Sequence, residues 1–100
     1  MGPLYKIHAE MCKIFSNATR LELLDLLRQG ELSVSRLTTK TRLSQVNVSQ
    51  HLAIMKAKGV VTSRRKGQNV YYCLTNPKII KAFDIIREIL RERLGGVKNG

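Results

Sequence analysis

Apolar residues recur at three- and four-residue spacing along most of the chain, switch to alternation once, then return to helical spacing. Pro3, a residue suited to the start of a helix, opens a first helix running from about Leu4 to Phe15. Leu4, Ile7, Met11, Ile14 and Phe15 share one face of it, with His8 and Cys12 at the edge. Ser16 or Asn17 caps a second helix, in which Leu21, Leu24 and Leu27 point inward and Gly30 ends the run. Glu31 and Leu32 form a short link with room for one pair of strand residues, and Ser33 caps a third helix through about Lys40 that buries Val34 and Leu37. A tight turn at Arg42-Leu43 leads into a fourth helix. After Gly59 the period falls to two, and residues 60–65 and 70–74 read as strands around the hairpin break Lys66-Gly67-Gln68-Asn69. Asn76-Pro77 starts a last helix over 77–94 that Gly95-Gly96 ends, and a tail over 96–100 is expected to be disordered.

The fourth helix organises the rest. Ser44 is placed to accept a free first-turn amide, and Gly59 suits the left-handed residue that follows a helix. Val48, Leu52 and Met55 form a packing face. The opposite face carries Val46, Gln50, Ala53 and Ala57, flanked by Asn47 and Ser49, and has no acid. A solvated helix usually carries Glu and Lys there. Short side chains that allow close approach, with amides and hydroxyls for base edges, are what a helix lying in a DNA major groove needs. The candidate major-groove residues are Ser44, Gln45, Val46, Asn47, Ser49 and Gln50.

With the third helix this forms a helix-turn-helix, and the hairpin after it makes a winged helix. In the hairpin, Val70, Tyr72 and Leu74 face one side, Tyr71 and Cys73 the other. The fold class expected is mainly α with a small β-hairpin wing, in the order α-α-(β)-α-α-β-β-α, as one domain over 1–95. Ile79, Phe83, Ile86, Leu90 and Leu94 make the main stripe of the last helix, and Ala82, Ile85 and Ile89 widen it to about 180°, against roughly 100° for a helix with one packing partner. A face that apolar calls for a second subunit. The expected homodimer joins first and last helices through Leu4, Ile7, Met11, Ile79, Phe83, Ile86 and Leu90.

Charge sharpens the picture. The net charge is +11 in 100 residues, yet the first 31 residues are balanced and no Asp or Glu occurs between Leu32 and Phe83, where ten of the cations lie. A segment cleared of acids is the footprint of a phosphate-binding face. Lys40, Arg64, Arg65 and Lys66 are the candidates for backbone contact, the last three at the hairpin tip. Tyr5, Lys6, His8 and Glu10 interrupt any apolar run that would make a signal peptide, and no stretch has the 18 or so apolar residues of a membrane span. A cytoplasmic location, no membrane and no cofactor are expected. Two histidines, with acids confined to the chain ends, build no catalytic set, so the chain is read as a non-enzyme.

The segments Phe15-Ser16-Asn17-Ala18-Thr19-Arg20-Leu21, Gly30-Glu31-Leu32-Ser33-Val34-Ser35-Arg36-Leu37, Leu43-Ser44-Gln45, Val48-Ser49-Gln50-His51-Leu52 and Val70-Tyr71-Tyr72-Cys73-Leu74 together resemble the ArsR–SmtB family of winged-helix repressors, over roughly residues 4–94. The resemblance implies a homodimeric repressor on double-stranded DNA with an inverted-repeat operator, released by a chemical signal. It also implies that the residues matching Gln45, Val46, Ser49 and Gln50 face the major groove. The sensor departs from the family. Members that bind thiophilic metals or arsenite carry cysteines where this chain has Ser33 and Ser35, and a hydroxyl is a poor soft-metal ligand. Zinc-sensing members use Asp-x-His and His-x-x-Glu in the last helix. Here Ile86 stands where the histidine two residues after Asp84 would be, and that helix has no histidine, so no metal site is expected.

Cys12 and Cys73 are open to two readings, a thiol switch of the kind some relatives use or two incidental residues of core and strand. His8 and Cys12, four apart, are two metal ligands at most and otherwise interface packing. The alternative to a DNA-binding repressor is an RNA-binding or protein-interaction winged helix.

Overall fold

The computed structural model of the chain describes residues 2–95. The expected tail over 96–100 lies outside the described residues. The order is α1 (Pro3–Phe15), α2 (Ala18–Leu26) with a 3-10 turn (Leu27–Gln29), β1 (Leu32–Ser33), α3 (Val34–Thr41), α4 (Gln45–Ala57), β2 (Val61–Lys66), β3 (Asn69–Leu74) and α5 (Lys78–Arg93). This is the winged helix-turn-helix arrangement read from the sequence.

Local chemistry sets the element ends. Asn17, rather than Ser16, caps α2, accepting the Arg20 amide at 3.0 Å. Ser33 caps α3 through the Arg36 amide at 3.1 Å, and Ser44 caps α4 through the Asn47 amide at 3.1 Å. Between α3 and α4 the chain turns on Arg42, which adopts a left-handed φ of 61° without being glycine. Asn76 accepts the Lys78 amide at 3.0 Å at the start of α5. Gly67, at φ 63°, takes the first central position of the two-residue wing turn.

The core gathers Leu23, Leu24 and Leu27 from α2 and its 3-10 turn, Leu37 from α3, and Val48, Leu52 and Met55 from α4, all essentially without solvent access. Ile14, Val60, Val61, Ile80 and Phe83 complete it. In α2 the inward set includes Leu23, while Leu21 is only partly buried, and Leu27 reaches the core from the 3-10 turn that follows. The alternation starts the first strand at Val60, whereas β2 begins at Val61 and Val60 lies just before it. Its amide donates to the Met55 carbonyl at 2.9 Å and its carbonyl accepts from Thr75, so its buried side chain closes the end of α4.

The sheet has the order β1-β3-β2, antiparallel throughout. Leu32 pairs with Tyr72 and Ser33 with Tyr71, so the third strand covers only two rungs of the wing. Beyond Tyr71 the wing is a two-stranded hairpin.

Helix α5 divides differently from its sequence stripe. Ile80 and Phe83 point into the subunit's own core, with the Phe83 ring edge-on to Phe15 at 5.0 Å between centroids. Ile85, Ile86, Ile89, Leu90 and Leu94 are left exposed, and so are Leu4 and Ile7 on α1, at 73% and 61%. Met11 and Ile79, expected at a dimer interface, pack against the core margin instead of standing free. The apolar face left open is therefore shifted around α5 from the one the stripe predicted.

Candidate nucleic-acid interface

Helix α4 is mounted by one side. Val48, Leu52 and Met55 have no solvent access, while Ser44, Gln45, Val46, Asn47, Ser49 and Gln50 are all exposed. Gln45, Val46, Ser49, Gln50 and Ala53 line one continuous open face, with Val46 at 68% exposure. The six candidates thus stand together on a rigid backbone, with no acid among them. The Ser44 hydroxyl accepts the Asn47 amide and keeps its own proton free to donate.

A second surface adjoins the first. Ser35 from α3, Gln45 and Ser49 from α4, Gln68 from the wing turn and Asn69 at the start of β3 line a cleft with Tyr72 beside them. The side-chain amides of Gln68 and Asn69 are not among the sequence candidates. Their only signal was their place in a turn, and the closeness of wing to helix is a tertiary fact. Ser35 and Ser33, where the family's thiol sensors have cysteines, have separate duties here. Ser33 is nearly buried and caps α3, and Ser35 lines the cleft.

The basic candidates separate. Arg65 and Lys66 are exposed near the wing tip. Arg64 is engaged: its Nε and Nη2 each donate to a Glu31 carboxylate oxygen at 2.7 Å, and its guanidinium carbon sits 5.1 Å from the centre of the Tyr71 ring. The guanidinium holds the Glu31 carboxyl below its ordinary pKa, and Glu31 raises that of Arg64. Lys40 lies in a separate polar groove that also takes in Arg28, Arg36, Asp25 and Glu31.

Arg20 ties α4 to the end of α1. Its Nε donates to the Ile14 carbonyl at 2.7 Å, and its Nη1 lies 3.4 Å from Nδ1 of half-buried His51. A guanidinium only donates, so Nδ1 of His51 is the acceptor.

Cys12 is exposed on α1 and Cys73 half-buried on β3, both as free thiols. His8 is exposed. Asp84, the acid matched to a zinc ligand by resemblance, is gripped by Arg28. Among the described residues no three His, Cys, Asp or Glu side chains gather as a metal-binding group, and no helix is long and apolar enough to cross a membrane.

Residues 17–63, from the cap of α2 to the first rungs of the wing, match the family model described as bacterial regulatory protein, arsR family. The HTH-type transcriptional regulator Rv0081 of Mycobacterium tuberculosis is 34% identical over 88% of this chain and 78% of its own length. The chain belongs to the ArsR family of bacterial regulatory proteins. The crystal structure of Rv0081 covers 95% of this ArsR-family chain and 96% of that one, with a TM-score of 0.82 and 32% identity. The solution structure of the homodimeric winged helix-turn-helix DNA-binding domain Mb0332 of Mycobacterium bovis covers 97% of this chain and 90% of that one, with a TM-score of 0.81 and 30% identity. A further relative, the regulator Rv0324 of Mycobacterium tuberculosis, is 33% identical over 89% of this chain, which spans only 39% of that protein's length. Membership makes this ArsR-family chain a helix-turn-helix transcriptional regulator and not an enzyme.

Proposed function

We propose that two copies of this chain bind an inverted-repeat operator in double-stranded DNA, in the cytoplasm, and repress the adjoining genes. The observation that carries this is the α4 face of Gln45, Val46, Ser49, Gln50 and Ala53, small and acid-free, on a helix whose other side is locked into the core. Gln45, Asn47 and Gln50 offer amides to adenine edges, and Ser44 and Ser49 offer hydroxyls. Arg65 and Lys66 of the wing, with Lys40, supply phosphate contacts. The exposed apolar residues of α1 and α5 join the two subunits and set two α4 helices about 34 Å apart, the spacing of successive major grooves.

The test is selection of bound fragments from random and genomic duplexes, followed by affinity measurements against duplex DNA and structured RNA at matched salt. An enriched palindrome, bound by a dimer and preferred over RNA, is the expected outcome. Binding to RNA alone, or a monomer that ignores every duplex, rejects the reading. No sensor is assigned: the serines at the thiol positions and the engaged Asp84 support a regulator that neither arsenite nor zinc releases.

A further inference from the structure

We infer that Arg64 and Glu31 form a brace across the outer face of the wing, so that Arg64 is a positioning residue for DNA binding rather than a phosphate contact. The inference rests on the DNA-binding reading above.

Paired residues on neighbouring antiparallel strands share a face. Arg64 on β2 is paired with Tyr71 on β3, the central strand of the order β1-β3-β2. Its guanidinium lies over the Tyr71 ring and ends on Glu31, the residue immediately before β1. One side chain therefore starts on one edge of the sheet, crosses the middle strand and is held bidentately at the other edge. The level at which it crosses matters. Ser33 paired with Tyr71 is the last rung that β1 contributes, and from there to the tip only β2 and β3 remain. A two-stranded hairpin alone is marginally stable in water. The brace sits where support from the third strand stops, and it steadies the segment that carries Arg65, Lys66, Gln68 and Asn69. A bidentate guanidinium–carboxylate pair fixes direction as well as distance, which a lysine does not reproduce.

Charge supports the same assignment. Glu31 neutralises Arg64, leaving Arg65 and Lys66 as the wing cations without such a partner among the described residues. For Arg64 to reach a phosphate it would have to leave two short hydrogen bonds and a ring face.

The two roles give opposite signs for one substitution. If Arg64 touches phosphate, Glu31→Gln removes a nearby negative charge and tightens binding. If Arg64 braces the wing, Glu31→Gln weakens binding. We expect Glu31→Gln, Arg64→Ala and Arg64→Lys each to weaken binding to any duplex by about three- to fivefold, the range open to an exposed ion pair. The double variant Glu31→Gln with Arg64→Ala should be no weaker than either single change. The salt slope should stay unchanged in all of them, whereas Arg65→Ala flattens it by about one unit. In the DNA-free protein, hydrogen exchange of the amides between Arg64 and Tyr71 should quicken in Glu31→Gln and Arg64→Lys but not in Arg65→Ala. Tighter binding by Glu31→Gln, full rescue by Arg64→Lys, or unaltered exchange overturns the brace. If the unmodified protein binds no duplex, the functional reading itself fails, and the exchange data still report on the wing separately.

Discussion

The guanidinium of Arg28 grips both carboxylate oxygens of Asp84, at 2.8 and 3.1 Å, and the same side chain reaches Asp25 at 2.6 Å. Arg87 approaches Asp25 at 3.3 Å. The end of α2 is thereby tied to α5, the helix whose other side leaves Ile85, Ile86, Ile89, Leu90 and Leu94 exposed. The Arg28 guanidinium holds the Asp84 carboxyl below its ordinary value, and the two carboxylates raise that of Arg28. For a depressed carboxyl, the stabilising contribution is complete above the unfolded value of about 3.9 and is lost as pH falls through the lower folded value. Urea melts from pH 7 down to pH 3 should show Asp84→Asn less stable than the parent at neutral pH. The two curves should converge in acid, and a gap constant across that range would contradict the pairing.

The exposed part of α5 gives a test of assembly that leaves the core alone. Ile86 and Leu90 are 54% and 45% exposed, so lysine at both positions costs the single subunit little. Sedimentation should show the double variant as a helical monomer that has lost operator affinity. A double variant that remains a dimer would place the interface elsewhere.

Base readout and phosphate contact separate in one pair of titrations. Gln50→Ala should cost about 1–3 kcal/mol on the selected operator and little on random duplex. Arg65→Ala should weaken both alike and lower the salt slope by about one unit. Equal loss by Gln50→Ala on both duplexes would remove it from the list of base readers.

Ser33 and Ser35 are two residues apart and chemically identical, yet their replacement should differ. Ser33→Ala removes the cap of α3 from a nearly buried site and should cost roughly 1 kcal/mol in denaturant melts. Ser35→Ala, at an exposed position in the cleft, should leave stability unchanged. A measurable stability loss at Ser35 would show that its hydroxyl serves the fold.

Zinc and arsenite at micromolar levels should leave the operator complex intact, as followed by fluorescence anisotropy. Release by either would show a ligand set that involves neither Ser33, Ser35 nor a free Asp84. Oxidant-driven release that persists after Cys12→Ser with Cys73→Ser would dismiss the thiol switch.

Much of this molecule could be read in one dimension because its signals are local. The caps at Ser33 and Ser44, the left-handed Gly59, the glycine turn of the wing and the packing face Val48-Leu52-Met55 depend on neighbours within a few residues. So does the polar face of α4, since helical spacing alone groups its residues. The long acid-free stretch could be counted directly, but its limit at Glu31 concealed that this acid returns in space to neutralise Arg64. The wide apolar arc of α5 announced more than one packing partner without saying which residues each takes. Only the packed subunit assigns Ile80 and Phe83 inward and leaves Ile85, Ile86, Ile89, Leu90 and Leu94 outside. Likewise Arg28 with Asp84, Arg20 with His51, and the meeting of Ser35 and Gln45 with the wing turn join residues far apart along the chain. Their approach depends on strand register and helix rotation, which many residues decide jointly through burial, so composition and spacing carry no trace of it.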